Sequence, residues 1–444
     1  MLRERRRSAG FTLIEAIVSL FVMVLLMVAI LGVFDFTGRL SRVQMQLADM
    51  QQEQRIGQGE LVRYLRMAGR GGLPTEIAPV TSPPPTNPGH IMPNGASVAR
   101  TVNNAVANTR IGDATSPLIY PNTDVLTVRG AFSTPVYQIN YADPAQVQLF
   151  QGAVVTTNPT VATSLKVQVC ATSPAGIAQD LTPLQQAIAN ASGEAILIVS
   201  PLQDSTFGVV ALDPTNSLPT SANCVPGTPS AGVTLALLVG SKGSAGTRQD
   251  SYADLSPAPV GGRLITALAN VAFLSILEEY RYYVRQEWVV PSDNTTTEAP
   301  RLSRARFYPN TNLPYAANAQ NLSVDIAENV TDLQVAFGID TNSNGVIDDV
   351  SATCGDEWQG DGAGTENPPV PPAVDPCQWN NKVLHYVRLS TLARTDRFDP
   401  AYIAPMMGRI EDHVYPTTAT GENSSDNRHR RKRVVQTIVK LRNL

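Results

Sequence analysis

Residues 11–36 read FTLIEAIVSLFVMVLLMVAILGVFDF, an almost continuously apolar stretch near the start of a 444-residue chain. Between Ala16 and Phe34 it contains 19 residues without a charged side chain. At a rise of about 1.5 Å per residue, a helix of that length spans about 28 Å, close to the thickness of the bilayer hydrocarbon core. The stretch therefore predicts one transmembrane helix.

The ten residues before this stretch, MLRERRRSAG, hold four arginines and one glutamate, which gives a charge of +4 − 1 = +3. By the positive-inside rule, this excess predicts a cytoplasmic N-terminus. An ordinary signal anchor and a secretory signal peptide cleaved after the apolar run both begin in this way. The signal peptide fits less well, because the run is long and residues 32–36 (GVFDF) provide no small-x-small cleavage site.

Glu15 is anomalous because it places a carboxylate at the start of the apolar run. A charged side chain costs about 2.5–3.5 kcal/mol at the centre of a membrane helix and somewhat less near the interface. No basic residue lies in the helical turn that follows Glu15. The carboxylate is therefore expected to lack a partner within its own chain.

The hexapeptide GFTLIE at residues 10–15, preceded by a basic leader, resembles the class III signal of type IV pilins and pseudopilins. The resemblance implies that a prepilin peptidase cleaves after Gly10 and methylates the new N-terminal residue, Phe11. It also implies that Glu15 is the family's fifth-position glutamate, a determinant of filament assembly. Removal of the leader would change the net charge from −4 to −4 − 3 = −7.

Beyond Phe36 the apolar residues continue at helical spacing with polar residues between them, and Gln54 is a polar exception on the apolar stripe. The pattern predicts a helix from Phe11 to Ala68 that Gly57 and other interior glycines loosen. Glycines 69, 71 and 72 and the proline at 74 should end it. The second half is typical of a coiled coil, whereas the resemblance implies one continuous stalk helix that packs on a head domain.

Short β-like runs separated by Gly, Pro and Asn turns follow from Asp124 onward and predict an antiparallel sheet. The predicted class is α+β, with a long N-terminal transmembrane and stalk helix before a mostly antiparallel β head of pilin-like form. Two short helices are expected at Thr182–Asn190 and Ala401–Met407. The predicted divisions are a cleaved leader at 1–10, a transmembrane half-helix at 11–35, an amphipathic stalk at 36–72, a Pro/Asn-rich linker at 73–123 and a head at 124–444 with an inserted subdomain within 140–260.

The C-terminal half is similar to one branch of this superfamily, the PilW-type minor pilins. The segments that carry the similarity are YRYYVRQEW, RLSRARFYP, NVTDLQVAFGIDTNSNGVID, VLHYVRLSTLARTD and RRKRVVQTIVKLRN, in that order. Residues 73–230 follow no pattern of the branch. Their length suggests an insertion whose role the sequence does not define.

A loop at residues 340–349, DTNSNGVIDD, has the oxygen-ligand spacing of a calcium-binding loop. The candidate ligands are the side chains of Asp340, Asn342, Asn344 and Asp348 and the carbonyl of Val346. The loop departs from the EF-hand pattern because residue 351, at the twelfth position, is serine; nearby candidates for that ligand are the acidic residues at 349, 356 and 357. The alternative interpretation is a plain Asn-Gly hairpin turn.

Four cysteines occur, and none forms a CxxC motif, so a zinc site is not expected. The resemblance places the head outside the cytoplasmic membrane, where disulfides persist. Of the three pairings that four cysteines allow, we predict the neighbour pairs Cys170–Cys224 and Cys354–Cys377. Free buried thiols are the alternative.

The composition narrows the function classes. Apolar residues make up 43% of the chain and charged residues only 16%, which argues against a disordered chain. No P-loop, HExxH or GxSxG motif is present, so no enzymatic activity and no organic cofactor are expected, and calcium is the only ion suggested. The dense basic run RHRRKR at 428–433 lacks the interleaved aromatic residues of a stacking platform, so a DNA partner is not expected.

The resemblance implies a structural role as a minor pilin that initiates or caps a type IV pilus. Its partners would be other minor and major pilins, the prepilin peptidase, the pilus platform and the inner membrane. The protein would cross the inner membrane once with its head in the periplasm and then enter the cell-surface pilus. The alternatives are a J-type pseudopilin of type II secretion and an adhesin or DNA-binding module displayed at the tip.

Overall fold

A computed structural model describes most of the helix and of the β-rich part. The described residues are 12–73, 98–101, 110–140, 146–190, 193–200, 206–213, 224, 232–239, 268, 270–289, 297–315, 323–340, 346–347, 357–359, 384–418 and 420–441.

The N-terminal helix α1 runs without interruption from Leu13 to Met67, 55 residues in all. It ends where predicted, because Ala68 leaves the helical conformation and the next glycines adopt positive φ angles of 74°, 103° and 104° at positions 69, 71 and 72. Glycine accepts these angles without a steric penalty. The long predicted helix is therefore confirmed. It begins at Leu13, directly after Thr12, the first residue that the structure describes.

The rest of the described chain is mainly β-strand, with two short helices, α2 (Thr182–Ala189) and α3 (Ser425–Arg428). The strands in chain order are β1 (Val98–Thr101), β2 (Val125–Gly130), β3 (Tyr137–Gln138), β4 (Val147–Gln151), β5 (Val154–Thr156), β6 (Ser164–Cys170), β7 (Ala195–Ser200), β8 (Thr206–Leu212), β9 (Gly232–Leu238), β10 (Phe273–Ile276), β11 (Glu278–Arg285), β12 (Trp288–Val289), β13 (Thr297–Glu298), β14 (Arg301–Phe307), β15 (Val324–Glu328), β16 (Val330–Ile339), β17 (Trp358–Gln359), β18 (Leu384–Arg394), β19 (Arg409–Ile410), β20 (His413–Val414) and β21 (Lys432–Lys440).

These strands form three main sheets in which neighbours pair antiparallel. Sheet A has the order β1-β2-β11-β14-β15, sheet B the order β3-β10-β7-β8-β9-β6-β4-β5, and sheet C the order β17-β16-β18-β21. Strands β12–β13 and β19–β20 form two further small ribbons. The predicted α+β class, a long apolar helix followed by an antiparallel β head, is confirmed.

One hydrophobic core joins α1 to sheets A and C. It contains Leu61 and Leu65 of the helix, Leu126 of sheet A, and Val335 and Leu389 of sheet C, all almost completely buried. All ten residues of β16 are buried, because strands β11 and β14 of sheet A and the helix α1 cover one face of sheet C and the β19–β20 ribbon covers the other. The upper half of the stalk helix is thus part of the head's own core.

Sheet B has a separate core of its own. The buried side chains of β6, β7 and β9 pack together with Leu184 and Ala187 of α2. The sulfur atoms of Cys170, at the end of β6, and Cys224 form a disulfide, as predicted, with their Cα atoms 5.5 Å apart. Cys354 and Cys377 lie outside the described residues, so their pairing stays a prediction.

Replacing both Cys170 and Cys224 by alanine is expected to lower the free energy of unfolding by about 2–4 kcal/mol. The bridge spans a sequence separation of 54 residues, and closing a loop of that size removes entropy mainly from the unfolded chain. Chemical denaturation of the detergent-solubilised chain measures the loss, with the parent under reductant as the control. An unchanged free energy of unfolding would contradict a stabilising role.

The segment Ala401–Met407 does not form the predicted helix. It is irregular, and its backbone bonds to the chain beside it, where the Ala404 N–H donates to the Arg428 carbonyl at 2.7 Å. Pro405 explains the difference, because it lacks an N–H and disfavours the helical conformation of the residue before it. The other predicted short helix, Thr182–Asn190, is confirmed as α2.

Candidate functional site along the stalk helix

The lower half of α1 carries an apolar surface that the rest of the described chain leaves uncovered. Its large side chains are exposed from Leu13 (81%) to Phe36 (67%). Within the described residues, α1 is the one helix long and apolar enough to cross a membrane. Exposing such an apolar surface to water is unfavourable, so we expect a bilayer or the apolar helices of other subunits to cover it.

Glu15 lies in the first turn of α1, where it forms a capping box with Thr12. The Thr12 N–H and hydroxyl donate to Glu15 Oε2 at 3.0 and 2.9 Å, and the Glu15 N–H donates back to Thr12 Oγ1 at 3.4 Å. The expectation that Glu15 lacks any partner in its chain is therefore wrong for hydrogen bonds. Within the described residues the carboxylate has no cationic partner, and Gly10 and Phe11 lie outside them.

Two glutamines fasten the upper half of α1 to sheet C. The Gln54 amide donates to the carbonyls of Thr391 and Arg433 at 3.3 and 2.9 Å. One turn higher, the Gln58 amide donates to the Val435 carbonyl at 2.9 Å. The polar exception noted on the apolar stripe is therefore a buried hydrogen-bonding residue that fixes how the helix lies on the sheet.

Gly57 marks the closest approach of α1 to sheet A. A β-carbon at this position would lie 2.9 Å from Leu302 Cδ2 and 3.2 Å from Ala327 Cβ, closer than packing normally permits. The sequence predicts that Gly57 loosens the helix, but the helix continues through it unbroken. The missing side chain instead lets the backbone of α1 pack directly on strands β14 and β15.

An aromatic and cationic cluster holds the top of the stalk. The Arg304 guanidinium lies 4.8 Å from the Tyr64 ring centre and 5.0 Å from that of Tyr280, and it also pairs with Glu60. The ring of Phe132 lies 5.1 Å from that of Tyr64. Burial raises the pKa of Tyr280 well above its ordinary value, so the phenol stays neutral. The cluster is a structural contact between helix and head.

A buried ion network lies between sheets A and C. Arg100 Nε of β1 lies 2.7 Å from Asp124 Oδ2, and its Nη2 pairs with Asp412 from the turn of the β19–β20 ribbon. The Val335 N–H of β16 also donates to Asp124, at 2.9 Å. Burial raises the pKa of Asp124 to about 7; Arg100 opposes the shift and the charge of Asp412 adds to it. One cation thus holds two carboxylates between the two sheets.

The same ribbon carries a second buried pair. His413 Nδ1 lies 2.7 Å from Asp332 Oδ2, to which the Tyr415 hydroxyl also donates. The Gln334 amide donates to the other carboxylate oxygen at 2.7 Å. Burial lowers the pKa of His413, but the hydrogen bond and charge of Asp332 outweigh it and raise the pKa above its ordinary value. Sequence reasoning missed this pair, because its members lie 81 positions apart and form no local motif.

Glu411, next to this pair, adopts a positive φ of 50°, which is strained for a residue other than glycine. Its carboxylate accepts hydrogen bonds from Arg388 Nη2 at 2.7 Å, Ser390 Oγ at 2.6 Å and Gln436 Nε2 at 2.8 Å. These bonds explain why the strain persists. Glu411 and His413 therefore hold the ribbon on sheet C, whereas Asp412 between them pairs with Arg100 of sheet A.

The predicted calcium loop is described only in part. Asp340 follows β16 and is largely buried, Val346 is exposed, and Asn342, Asn344 and Asp348 lie outside the described residues. Glu357 is brought next to the start of the loop, because its carbonyl accepts the Ile339 N–H at 2.9 Å. Among the described residues no group of three or more His, Cys, Asp or Glu side chains is arranged to hold a metal ion.

The basic run at 428–433 spans the end of α3 and the start of β21, and much of it is engaged within the head. Arg431 pairs with Asp399 at 3.2 Å and Lys432 with Glu422 at 2.8 Å. Arg428 Nε donates to a backbone carbonyl at 2.9 Å. These contacts hold the connection between β18 and β21 against the head.

Two family models match the chain. The model of PilW, the type IV pilus-assembly protein W, matches residues 281–443, from β11 to the end of β21. The model of the prokaryotic N-terminal methylation motif matches residues 5–31, which include Glu15 and the start of α1. No curated protein and no solved structure matches the chain.

Proposed function

We propose that this chain, a type IV pilin-like protein of the PilW type with the role of a minor pilin, acts at the initiation or tip of the filament. The observation that carries the proposal is the uncovered lower half of α1, which begins with Glu15 and is firmly joined to the head above it. Such a subunit has one apolar helix for the filament core and one head for the surface.

The partners follow from this arrangement. The methylation motif supports processing by a prepilin peptidase at Gly10 and Phe11. The exposed apolar helix supports contacts with other minor and major pilins and with the platform that extracts them from the inner membrane. The head would stand in the periplasm before assembly and on the cell surface afterwards.

A J-type pseudopilin of type II secretion would use the same stalk. A different role is the display of a binding module at the tip of the filament. Sheet B supports this role, because its edge strand β5 exposes Val154 and Val155 and lies outside the residues that the PilW model matches. Identification of the filament with which the protein co-purifies separates the pilus from the secretion system. Binding of the intact filament to surfaces or DNA at moderate salt would test the display role.

The mature protein is expected to begin with N-methyl-Phe11. The basic leader places residues 1–10 on the cytoplasmic side of the membrane by the positive-inside rule, so cleavage after Gly10 is expected on that side. Mass spectrometry of the N-terminal peptide from membrane-extracted protein measures the start and the methyl group. Replacement of Gly10 by a bulky residue provides the unprocessed control, and a mature start at any other residue would contradict the pilin assignment.

We also propose that the loop after β16 binds calcium through Asp340, Asn342, Asn344, the Val346 carbonyl and Asp348. Glu357, positioned beside the end of β16, is the candidate for the ligand that the twelfth loop position lacks. An ion that binds the folded state raises the melting temperature by mass action. The expected rise across millimolar calcium should vanish in Asp348→Asn, and an unchanged melting temperature of the parent would leave only a hairpin turn.

A further inference from the structure

The β19–β20 ribbon is a small unit that lies on the outer face of sheet C. Its two strands form a sheet of their own, and the Tyr415 N–H closes it by donating to the Gly408 carbonyl at 2.9 Å. Its apolar anchor is a small cluster that Ile410 and Tyr415 form with Leu392 of β18, whereas Val414 is 66% exposed. A two-stranded ribbon with so little apolar contact is marginal by itself, so its polar contacts decide whether it stays in place.

These polar contacts include a group of ionisable side chains that we call the junction cluster: Arg100, Asp124, Asp332, Asp412 and His413. Arg100 lies 2.7 Å from Asp124 and also pairs with Asp412, and His413 lies 2.7 Å from Asp332. The side chains of Arg100, Asp124 and Asp332 are at most 2% exposed. Those of Asp412 and His413 are 27% and 14% exposed. The ribbon thus supplies the two members that water can reach.

The junction cluster holds more carboxylates than cations. Arg100 is its one permanent cation, so with a neutral His413 the three carboxylates give a charge of +1 − 3 = −2. An uncompensated charge in such a buried place is heavily penalised. Two protons, one on His413 and one shared by Asp124 and Asp412, bring the charge to zero. Charge count and burial therefore favour the protonated cluster while the ribbon is in place.

The groups that face the junction cluster from neighbouring elements do not supply the missing positive charge. Glu411 of the ribbon is matched by Arg388 of β18 at 2.7 Å. Tyr415 donates to Asp332 and stays neutral, because burial raises its pKa. The other titratable groups that act on Tyr415 are Glu422 and Tyr120. None of these described groups brings a further cation to the cluster.

The pKa shifts of two members agree with the charge count. Burial raises the pKa of Asp124 to about 7, with Arg100 opposing the shift and Asp412 adding to it. Burial lowers the pKa of His413, but the hydrogen bond and charge of Asp332 outweigh it and raise the pKa above its ordinary value. A raised pKa stabilises the folded state in its protonated form. This contribution is therefore present on the acid side and is lost as the pH rises through about 7.

We propose that the junction cluster is a proton-operated latch, in which two protons hold the β19–β20 ribbon on sheets A and C and their loss releases it from the outer face of sheet C. Release moves Asp412 away from Arg100 and lets water reach Asp124. It also lets Glu411 leave its positive φ of 50°, a strain that favours the open state. The proposal concerns the head and does not depend on the pilin role.

Hydrogen exchange of the full chain in detergent, followed by mass spectrometry, tests the latch. Exchange divided by the intrinsic rate at each pH measures how often a segment opens. From about pH 5.5 to about pH 8, opening of the ribbon is expected to rise at least about tenfold, because each released proton contributes up to about tenfold per pH unit. Strands β6 and β9, in the separate core of sheet B, are the reference and should change less than about twofold. Equal ribbon opening at both pH values, or an equal change in sheet B, would overturn the proposal.

Substitutions separate a titrating latch from contacts that are only structural. Asp124→Asn combined with His413→Gln removes both titrating groups, so ribbon opening should change less than about twofold over the same pH range. Each single variant should keep only part of the parent's change, which provides the test if the double variant does not fold. The matched control is Asp399→Asn, which removes a carboxylate that pairs with Arg431 at 3.2 Å outside the cluster. It should keep the full change. Full dependence in either single variant, or its loss in Asp399→Asn, would show that the cluster is not the latch.

Discussion

The Glu15→Val protein is expected to reach the membrane in normal amount and to disappear from sheared pili, with a loss of at least about tenfold. Cleavage after Gly10 would create an ammonium group on Phe11. On its own helix this amine would be four residues from Glu15 and could pair with it only partly. In a filament the Glu15 carboxylate of one subunit can meet the amine of the next in apolar surroundings, where an unpaired charge is heavily penalised.

The capping box provides two matched variants that separate the charge of Glu15 from its role at the helix start. Glu15→Gln removes the charge but keeps a side-chain oxygen that can accept the capping-box hydrogen bond from the Thr12 N–H. Thr12→Ala removes the hydroxyl partner and keeps the charge. If the ion pair sets the axial step between subunits, Glu15→Gln fails to assemble and Thr12→Ala assembles. Normal incorporation of Glu15→Val, with equal membrane levels, would show that helix packing alone suffices.

Replacement of Arg100 by methionine is expected to lower the free energy of unfolding by about 3–5 kcal/mol, the usual effect of removing one partner from a buried ion pair. The Arg100 side chain is fully buried and that of Asp124 is 2% exposed. Without the guanidinium, two carboxylates would face each other between sheets A and C. Denaturation of the full chain in detergent, followed by fluorescence, measures the change.

The control for this variant is Arg39→Met on the exposed part of α1. Arg39 pairs with Asp35 at 2.8 Å, but both side chains are more than half exposed, so the expected loss is under about 1 kcal/mol. Adding Asp124→Asn and Asp412→Asn to Arg100→Met should recover part of the stability, because no isolated buried charge remains. A loss no larger than that of Arg39→Met would show that the network does not hold the sheets together.

Local pattern was sufficient for the stalk and for many strands. The apolar run, its helical continuation and the glycines after Ala68 predict α1 and its end, because each acts on its own few neighbours along the chain. Runs such as Leu333–Ile339 and Val383–Ala393 carry the β-branched and apolar composition that the buried strands β16 and β18 need. The disulfide between Cys170 and Cys224 was also predicted correctly.

Local sequence patterns do not show what a single residue contacts in the folded head. Gly57 has the same local propensity wherever it occurs in a helix, and only the neighbouring sheet turns the missing side chain into a packing surface. Gln54 interrupts an apolar stripe in the sequence, and only the position of β18 and β21 supplies the carbonyls that satisfy its amide. Pro405, directly after Ala404, outweighed the helical pattern of residues 401–407.

The amino-acid sequence alone determined the membrane-length helix, the processing motif with Glu15, the α+β class and the similarity of residues 281–443 and 5–31 to two family models. Each of these depends on residues close together in the chain. Only the tertiary structure decided which strands share a sheet and how Arg100, Asp332 and His413 find their partners. It also decided that residues 399–404 of the irregular connection between β18 and β21 pair with the backbone of residues 428 and 429. The physical reason is that burial and pairing of charges depend on distance in space, which no spacing along the chain records.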